Sequence, residues 1–155
     1  AAIARREVAC VFHVLGAVVC EVIAVVLKHM ISSPRPPSCA ELDACDSHGM
    51  PSSHAAMAFY LAGTLEHNSN DLVMQLIAAV SPVAAALVCY ARVRLGFHTW
   101  AQVLAGAALG TGLSRASCAL LALWRRRGWV RAALRRPLAK HLRLRDSAGV
   151  HDPIA

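Results

Sequence analysis

Apolar residues along this chain fall in long blocks separated by short polar stretches. The run from Val8 to Leu27 is broken by one acid, Glu21, and one histidine, His13. About twenty apolar residues are enough to cross a hydrocarbon core as a helix. Residues 28–53 are polar and rich in Pro, Ser, Asp and Cys, the composition of a loop. His54 to Leu65 is apolar but short, about 18 Å at 1.5 Å per residue, and is the weakest of the spans. A polar turn at 66–71 leads into Leu72–Tyr90, an apolar helix containing Pro82, which a membrane helix tolerates. Residues 91–100 hold Arg92, Arg94 and His98. The last block, Ala101–Leu123, includes Gly106, Gly110 and Gly112, small residues that allow close helix contact. No segment alternates with the period of a strand. The pattern predicts an all-α polytopic membrane helix bundle with about four transmembrane helices over residues 1–123, followed by a basic tail at 124–155.

Composition supports the bilayer reading. Hydrophobic residues make up 57% of the 155, and the mean hydropathy is +0.48. The length fits one domain. The formal net charge of +7 sits mostly after residue 124, with no nucleic-acid motif beside it, so no nucleic-acid partner is expected. A basic flank behind an apolar span marks a cytosolic edge. Arg5 and Arg6 precede the first span, and Arg125, Arg126, Arg127, Arg131, Arg135 and Arg136 follow the fourth. Four spans put both termini on one side. The loop at 28–53 and the segment at 91–100 then share the other side. Cys10, Cys20, Cys89 and Cys118 lie in apolar blocks and read as small hydrophobes, whereas Cys39 and Cys45 share a polar loop where both paired and free thiols are open. The first residue is Ala rather than Met, which leaves room for a preceding signal or span.

Three clusters hold candidate chemistry. Lys28 is followed at the seventh position by Arg35, then Pro36. Pro51-Ser52-Ser53-His54 opens the second apolar block. Arg92 is followed at the sixth position by His98, with Gln102 four further on. Each has an ordinary reading alone: a snorkelling lysine, a helix start, interfacial arginines, a structural histidine. All three lie at span ends on the same side, and together they are what an oxyanion requires. Arg35 and Arg92 can donate paired hydrogen bonds to phosphate oxygens, and Lys28 adds a point charge. Ser52 and Ser53 offer hydroxyls and backbone N–H groups at a helix N-terminus. One imidazole can attack phosphorus and the other can protonate the leaving oxygen. No carboxylate cluster of the kind that holds magnesium accompanies them, so no metal and no cofactor is implied.

These clusters resemble the three-part signature of the type 2 phosphatidic acid phosphatase superfamily, K-x6-R-P, P-S-G-H and S-R-x5-H-x3-D. Ser53 stands where glycine is usual, Ala91 replaces serine and Gln102 replaces aspartate. The runs Gly49-Met50-Pro51-Ser52-Ser53-His54 and His98-Thr99-Trp100-Ala101-Gln102-Val103 are similar to the dolichyldiphosphatase branch. The tail at 142–147 is similar more weakly. The resemblance implies hydrolysis of dolichyl diphosphate to dolichyl phosphate at the lumenal face of the endoplasmic reticulum membrane, supplying carrier lipid for N-glycosylation. It makes His98 the nucleophile and His54 the general acid. Lys28, Arg35 and Arg92 bind phosphate with Ser52 and Ser53, and Gln102 takes the place of the aspartate that orients His98. A glutamine oxygen can still accept the Nδ1–H bond. On this reading aspartate at 102 is tolerated and leucine is not. Other lipid phosphates, other prenyl diphosphates and a non-catalytic lipid-binding role are the alternatives. His48 is expected to be a solvated loop residue and Arg94 an interface anchor. Glu21 is expected to face a partner or a cavity, without a catalytic role, because an acid in lipid is costly.

Overall fold

The computed structural model describes residues 7–42, 47–67, 72–137, 139, 142 and 144–146. Arg5, Arg6, Cys45, the turn at 68–71 and Ser147 lie outside the described residues. The elements are α1 (Val8–Ile31), a 3-10 turn (Pro37–Leu42), α2 (Ser53–His67), α3 (Leu72–Arg94), α4 (Trp100–Arg126) and α5 (Trp129–Leu134). Among the described residues there is no strand.

Three helices, α1, α3 and α4, are long and apolar enough to cross a membrane. Their 24, 23 and 27 residues correspond to about 36, 35 and 40 Å. Their outward faces expose Val14, Val18 and Val22 on α1, Leu76, Val80, Val83 and Leu87 on α3, and Leu104 on α4. Such stripes suit contact with lipid tails. The short block at 53–67 has a different place. The 15 residues of α2 reach about 22 Å, and the helix sits inside the bundle against α4, α3 and α1. Ala55, Ala56, Tyr60 and Ala62 are all buried. Its small residues let three long helices close around it.

The tightest approach is between α2 and α4. Gly106 and Gly110 lie one turn apart on α4. A Cβ at Gly106 would run into the Ser52 carbonyl oxygen, and one at Gly110 into the Ala56 carbonyl. Gly112 has nothing within 4 Å, so the close-contact role expected for it does not hold. It faces away because two residues turn a helix by about 200°. Lower in the bundle, the Tyr60 hydroxyl lies 3.2 Å from the His13 carbonyl oxygen and 3.1 Å from Ser117 Oγ, linking α1, α2 and α4.

The two ends of the bundle differ in kind. At one end Val8 N donates to Arg145 O at 2.8 Å. There the Arg125 guanidinium forks onto Asp146 at 2.7 and 3.2 Å, and Val130 of α5 packs with Ala9 and Leu121. The start of α1 and the basic end of α4, which runs past residue 123 to Arg126, therefore meet. At the opposite end, the loop after α1 meets the α3–α4 connection, where Ser38 Oγ donates to Gly96 O at 3.3 Å. Gly96 has φ 74° just beyond α3, a left-handed turn that glycine makes without strain. Cys39 in this loop is buried and disulfide-bonded.

The α2–α4 approach yields a test. Gly110→Ala forces a Cβ against backbone, and overpacking of this kind costs about 1–3 kcal/mol. Gly112→Ala adds a methyl in open space and gains helix propensity, by about 0.8 kcal/mol. Melting of the purified protein in detergent should fall for Gly110→Ala and hold or rise for Gly112→Ala. Equal melting of the two variants would contradict the packing described.

Candidate active site

The three sequence clusters converge on one side chain. Gln102 is 2% exposed, in the first turn of α4. Thr99 is the N-cap of that helix, and Thr99 and Gln102 form a capping box. The Gln102 Oε1 atom accepts from Thr99 N at 3.1 Å and from His98 Nδ1–H at 3.3 Å. Its Nε2 donates to Pro34 O at 2.7 Å and to Ser33 Oγ at 3.2 Å. Its backbone carbonyl accepts from Ser52 N at 3.0 Å. The loop of the first cluster, the helix start of the second and the histidine of the third are thus tied to one residue.

His98 is 2% exposed. Its Nδ1 also lies 3.0 Å from Gly49 O, so two carbonyl oxygens hold the proton on Nδ1. That tautomer leaves the Nε2 lone pair free to attack. Burial, and then the charges of Arg35 and Arg92, pull the ring down from the usual histidine range to about 4, against the opposing hydrogen bonds from Gln102 and Gly49. His98 is therefore neutral at physiological pH, the form a nucleophile needs.

The cations are arranged unequally. Arg35 Nε donates to Ser47 O at 2.7 Å, Nη2 to Ser47 Oγ at 2.9 Å and Nη1 to Phe97 O at 3.2 Å. Much of its fork is engaged in holding the loop against the residue before His98. Arg92 lies with its guanidinium carbon 4.1 Å from the centre of the Phe97 ring. Its Nε is buried and has no partner among the described residues, and the same holds for Ser53 Oγ. A buried donor left unpaired costs about 1–3 kcal/mol, and each atom retains the capacity for one further hydrogen bond. Ser52 is fully buried, and its hydroxyl accepts from Ala55 N at 3.5 Å, a cap on α2. Of the two serines, Ser53 has the open hydroxyl. His54, second residue of α2, is exposed. It lies within electrostatic reach of Arg92, Lys28, Glu21 and Arg35. Lys28, half-buried near the end of α1, lies within reach of Arg35, Glu21 and Arg92. The two histidines thus share the field of the same two arginines.

Gly49, Pro34 and Phe97 escaped the sequence reading because they act through backbone oxygen or a ring face. Thr99 was readable from the T-x-x-Q spacing of a capping box. Among the described residues no group of three or more potential metal ligands comes together.

A family model described as the PAP2 superfamily matches residues 9–127, and the chain belongs to that superfamily. Lipid phosphate phosphatase gamma of Arabidopsis thaliana is 38% identical over 117 residues, covering 68% of this chain and 50% of that protein. Dolichyldiphosphatase 1 of Dictyostelium discoideum is 31% identical over 157 residues, covering 96% and 68%. Dolichyldiphosphatase 1 of Homo sapiens is 31% identical over 119 residues, covering 68% and 50%. The chain spans about half the length of most of these relatives. No solved structure matches.

Gln102 Nε2 donates to Pro34 O, a bond that aspartate has no N–H to make, so the geometry leads to a different expectation for aspartate at 102. A carboxylate is shorter, has no N–H for Pro34 O, and sets negative oxygen toward a carbonyl. Gln102→Asp and Gln102→Leu should both lower phosphate release, each by about 100-fold if the ring moves by an ångström. Wild-type turnover in Gln102→Asp would show that the Pro34 bond positions nothing.

Proposed function

We propose that this protein hydrolyses dolichyl diphosphate to dolichyl phosphate and phosphate, through a phosphohistidine on His98. The observation that supports this reading most is the pair of buried, unpartnered donors, Arg92 Nε and Ser53 Oγ, the first on a residue that the family signature assigns to phosphate and the second where that signature has glycine. In the first step His98 Nε2 attacks the terminal phosphorus. The bond from that phosphorus to the bridging oxygen breaks, and His54 gives its proton to the departing lipid phosphate. The phosphorylated ring keeps its Nδ1–H and becomes cationic, stabilised by the oxygens of Gly49 and Gln102. In the second step His54, now neutral, takes a proton from water as that water attacks phosphorus. The P–N bond breaks, and free phosphate and neutral His98 result. Lys28, Arg35 and Arg92 hold the phosphate oxygens, with Ser53 and the N-terminus of α2. Charge is spread over those oxygens in the transition state, where fixed cations contribute most.

The polyprenyl diphosphate is preferred over other lipids because the P-S-S-H run and the glutamine at 102 follow the dolichyldiphosphatase pattern. Relatives of that name cover up to 96% of the chain. The likeness to a lipid phosphate phosphatase supports a second reading, with a lipid monophosphate as substrate and the same chemistry. The proposed location is the endoplasmic reticulum membrane, with the site on the lumenal side and the arginine-rich end of α4 in the cytosol. The product would return carrier lipid to protein N-glycosylation.

Phosphate release from dolichyl diphosphate, phosphatidic acid and a sphingoid phosphate by the purified protein separates these readings. The expected order places dolichyl diphosphate first, and His98→Ala should lose on the order of a thousandfold in turnover. Full activity in His98→Ala removes the nucleophile assignment. A preference for phosphatidic acid moves the substrate to the second reading.

A further inference from the structure

Glu21 lies in a segment where acids are expensive. Its position on α1 is informative. It stands seven residues before Lys28, about two turns and 10.5 Å lower on the same helical face. Ala24, between them on that face, is fully buried. Cys20, the neighbour of Glu21, packs on Ala56 in the first turns of α2, which fixes the depth of Glu21 at the start of α2. His54 stands two residues before Ala56. Glu21 is half-buried, and its carboxylate lies within electrostatic reach of both Lys28 and His54. Among the described residues it is the one acid whose charge reaches His54.

That placement answers a difficulty in the chemistry. A general acid must hold a proton when the leaving oxygen departs. His54 faces Lys28 from α1, Arg35 from the loop and Arg92 from α3, all positive. Gln102 of α4 is neutral, and His98, before it, is neutral at physiological pH. The surrounding cations that bind phosphate also disfavour a charged imidazole. Burial, then Arg92 and Lys28, and last Arg35, hold the ring below the usual histidine range, and Glu21 is the group that opposes them before substrate arrives.

We propose that Glu21 is a positioning residue that acts through His54, offsetting part of the surrounding positive charge so that this imidazole can carry the proton it donates. The inference rests on the reading of His54 as general acid. Glu21 gives up and takes no proton in the cycle. Its carboxylate acts on the ring from α1.

The test is the pH dependence of kcat for dolichyl diphosphate in the full chain, reconstituted in neutral phosphatidylcholine vesicles. Turnover that needs a protonated acid falls on the alkaline side. Glu21→Gln is isosteric and removes the charge, so its alkaline limb should move to lower pH by about one unit. At mildly alkaline pH kcat should then drop about tenfold, with KM changed far less. Glu21→Asp keeps the charge and should keep the wild-type limb. A merely structural role would lower activity at all pH values without moving the limb, and that result overturns the proposal. Should Glu21→Gln fail to fold, Glu21→Asp decides: a limb displaced to lower pH with the charge retained contradicts the assignment. His54→Asn separates the two levels of the argument. If it retains wild-type turnover, the general-acid reading itself fails. If it is inactive while Glu21→Gln follows the wild-type profile, only the role of Glu21 fails.

Discussion

Four hydrogen bonds meet on the Gln102 carboxamide, two accepted by its oxygen and two donated by its nitrogen. Those bonds bring together residues up to 69 positions apart in the chain. A buried amide satisfies its donors and acceptors only when every partner is in place. The same side chain therefore caps α4, fixes the tautomer of His98 and holds the loop that carries Arg35. Below it, Gly106 and Gly110 let α2 come close enough for Ser52 N to reach the Gln102 carbonyl. These ties fasten the loop residues Ser33 and Pro34 to the first turn of α4.

The two histidine rings sit in different surroundings. His98 is buried beside Arg35 and Arg92 and is held neutral, with its free nitrogen available. His54 is exposed at the start of α2 and has a carboxylate in its field. The two rings thus differ in exposure and hydrogen bonding while both lie in the field of Arg35 and Arg92; the proposed function gives the first the role of nucleophile and the second that of proton donor. In the proposed mechanism the arginines would serve both steps, since the charge that attracts phosphate also adds to burial in holding His98 neutral.

Much of the fold was legible in the chain. The long apolar blocks gave α1, α3 and α4 with ends near those observed, because a bilayer demands length and apolarity, and both are local properties. The block at 54–65 was legible as apolar, but its place inside the bundle was not. Hydropathy does not distinguish a helix that faces lipid from one that faces other helices. The alanines of α2 and the glycines of α4 are the signal for that burial. In the site, the cations and histidines were readable from spacing. Gly49 was not, since its contribution is a carbonyl that every residue has. The donation from Gln102 to Pro34 was not, since it depends on a contact 68 residues away. Glu21 is legible as an acid in an apolar run. Its alignment with Lys28 at two helical turns was also present in the sequence, but its nearness to His54 required the packing of α1 on α2.

The central claim is that an oxyanion seats between the open nitrogen of His98 and the unpartnered donors of Arg92 and Ser53. The most direct measurement is an experimental structure with orthovanadate, which adopts the trigonal-bipyramidal arrangement of phosphoryl transfer. The account predicts vanadium bonded to His98 Nε2, with its oxygens in hydrogen-bond contact with Arg92 Nε and Ser53 Oγ and with the His54 ring on the apical side. Vanadate bound elsewhere, or bound with those two donors still unpaired, would contradict it.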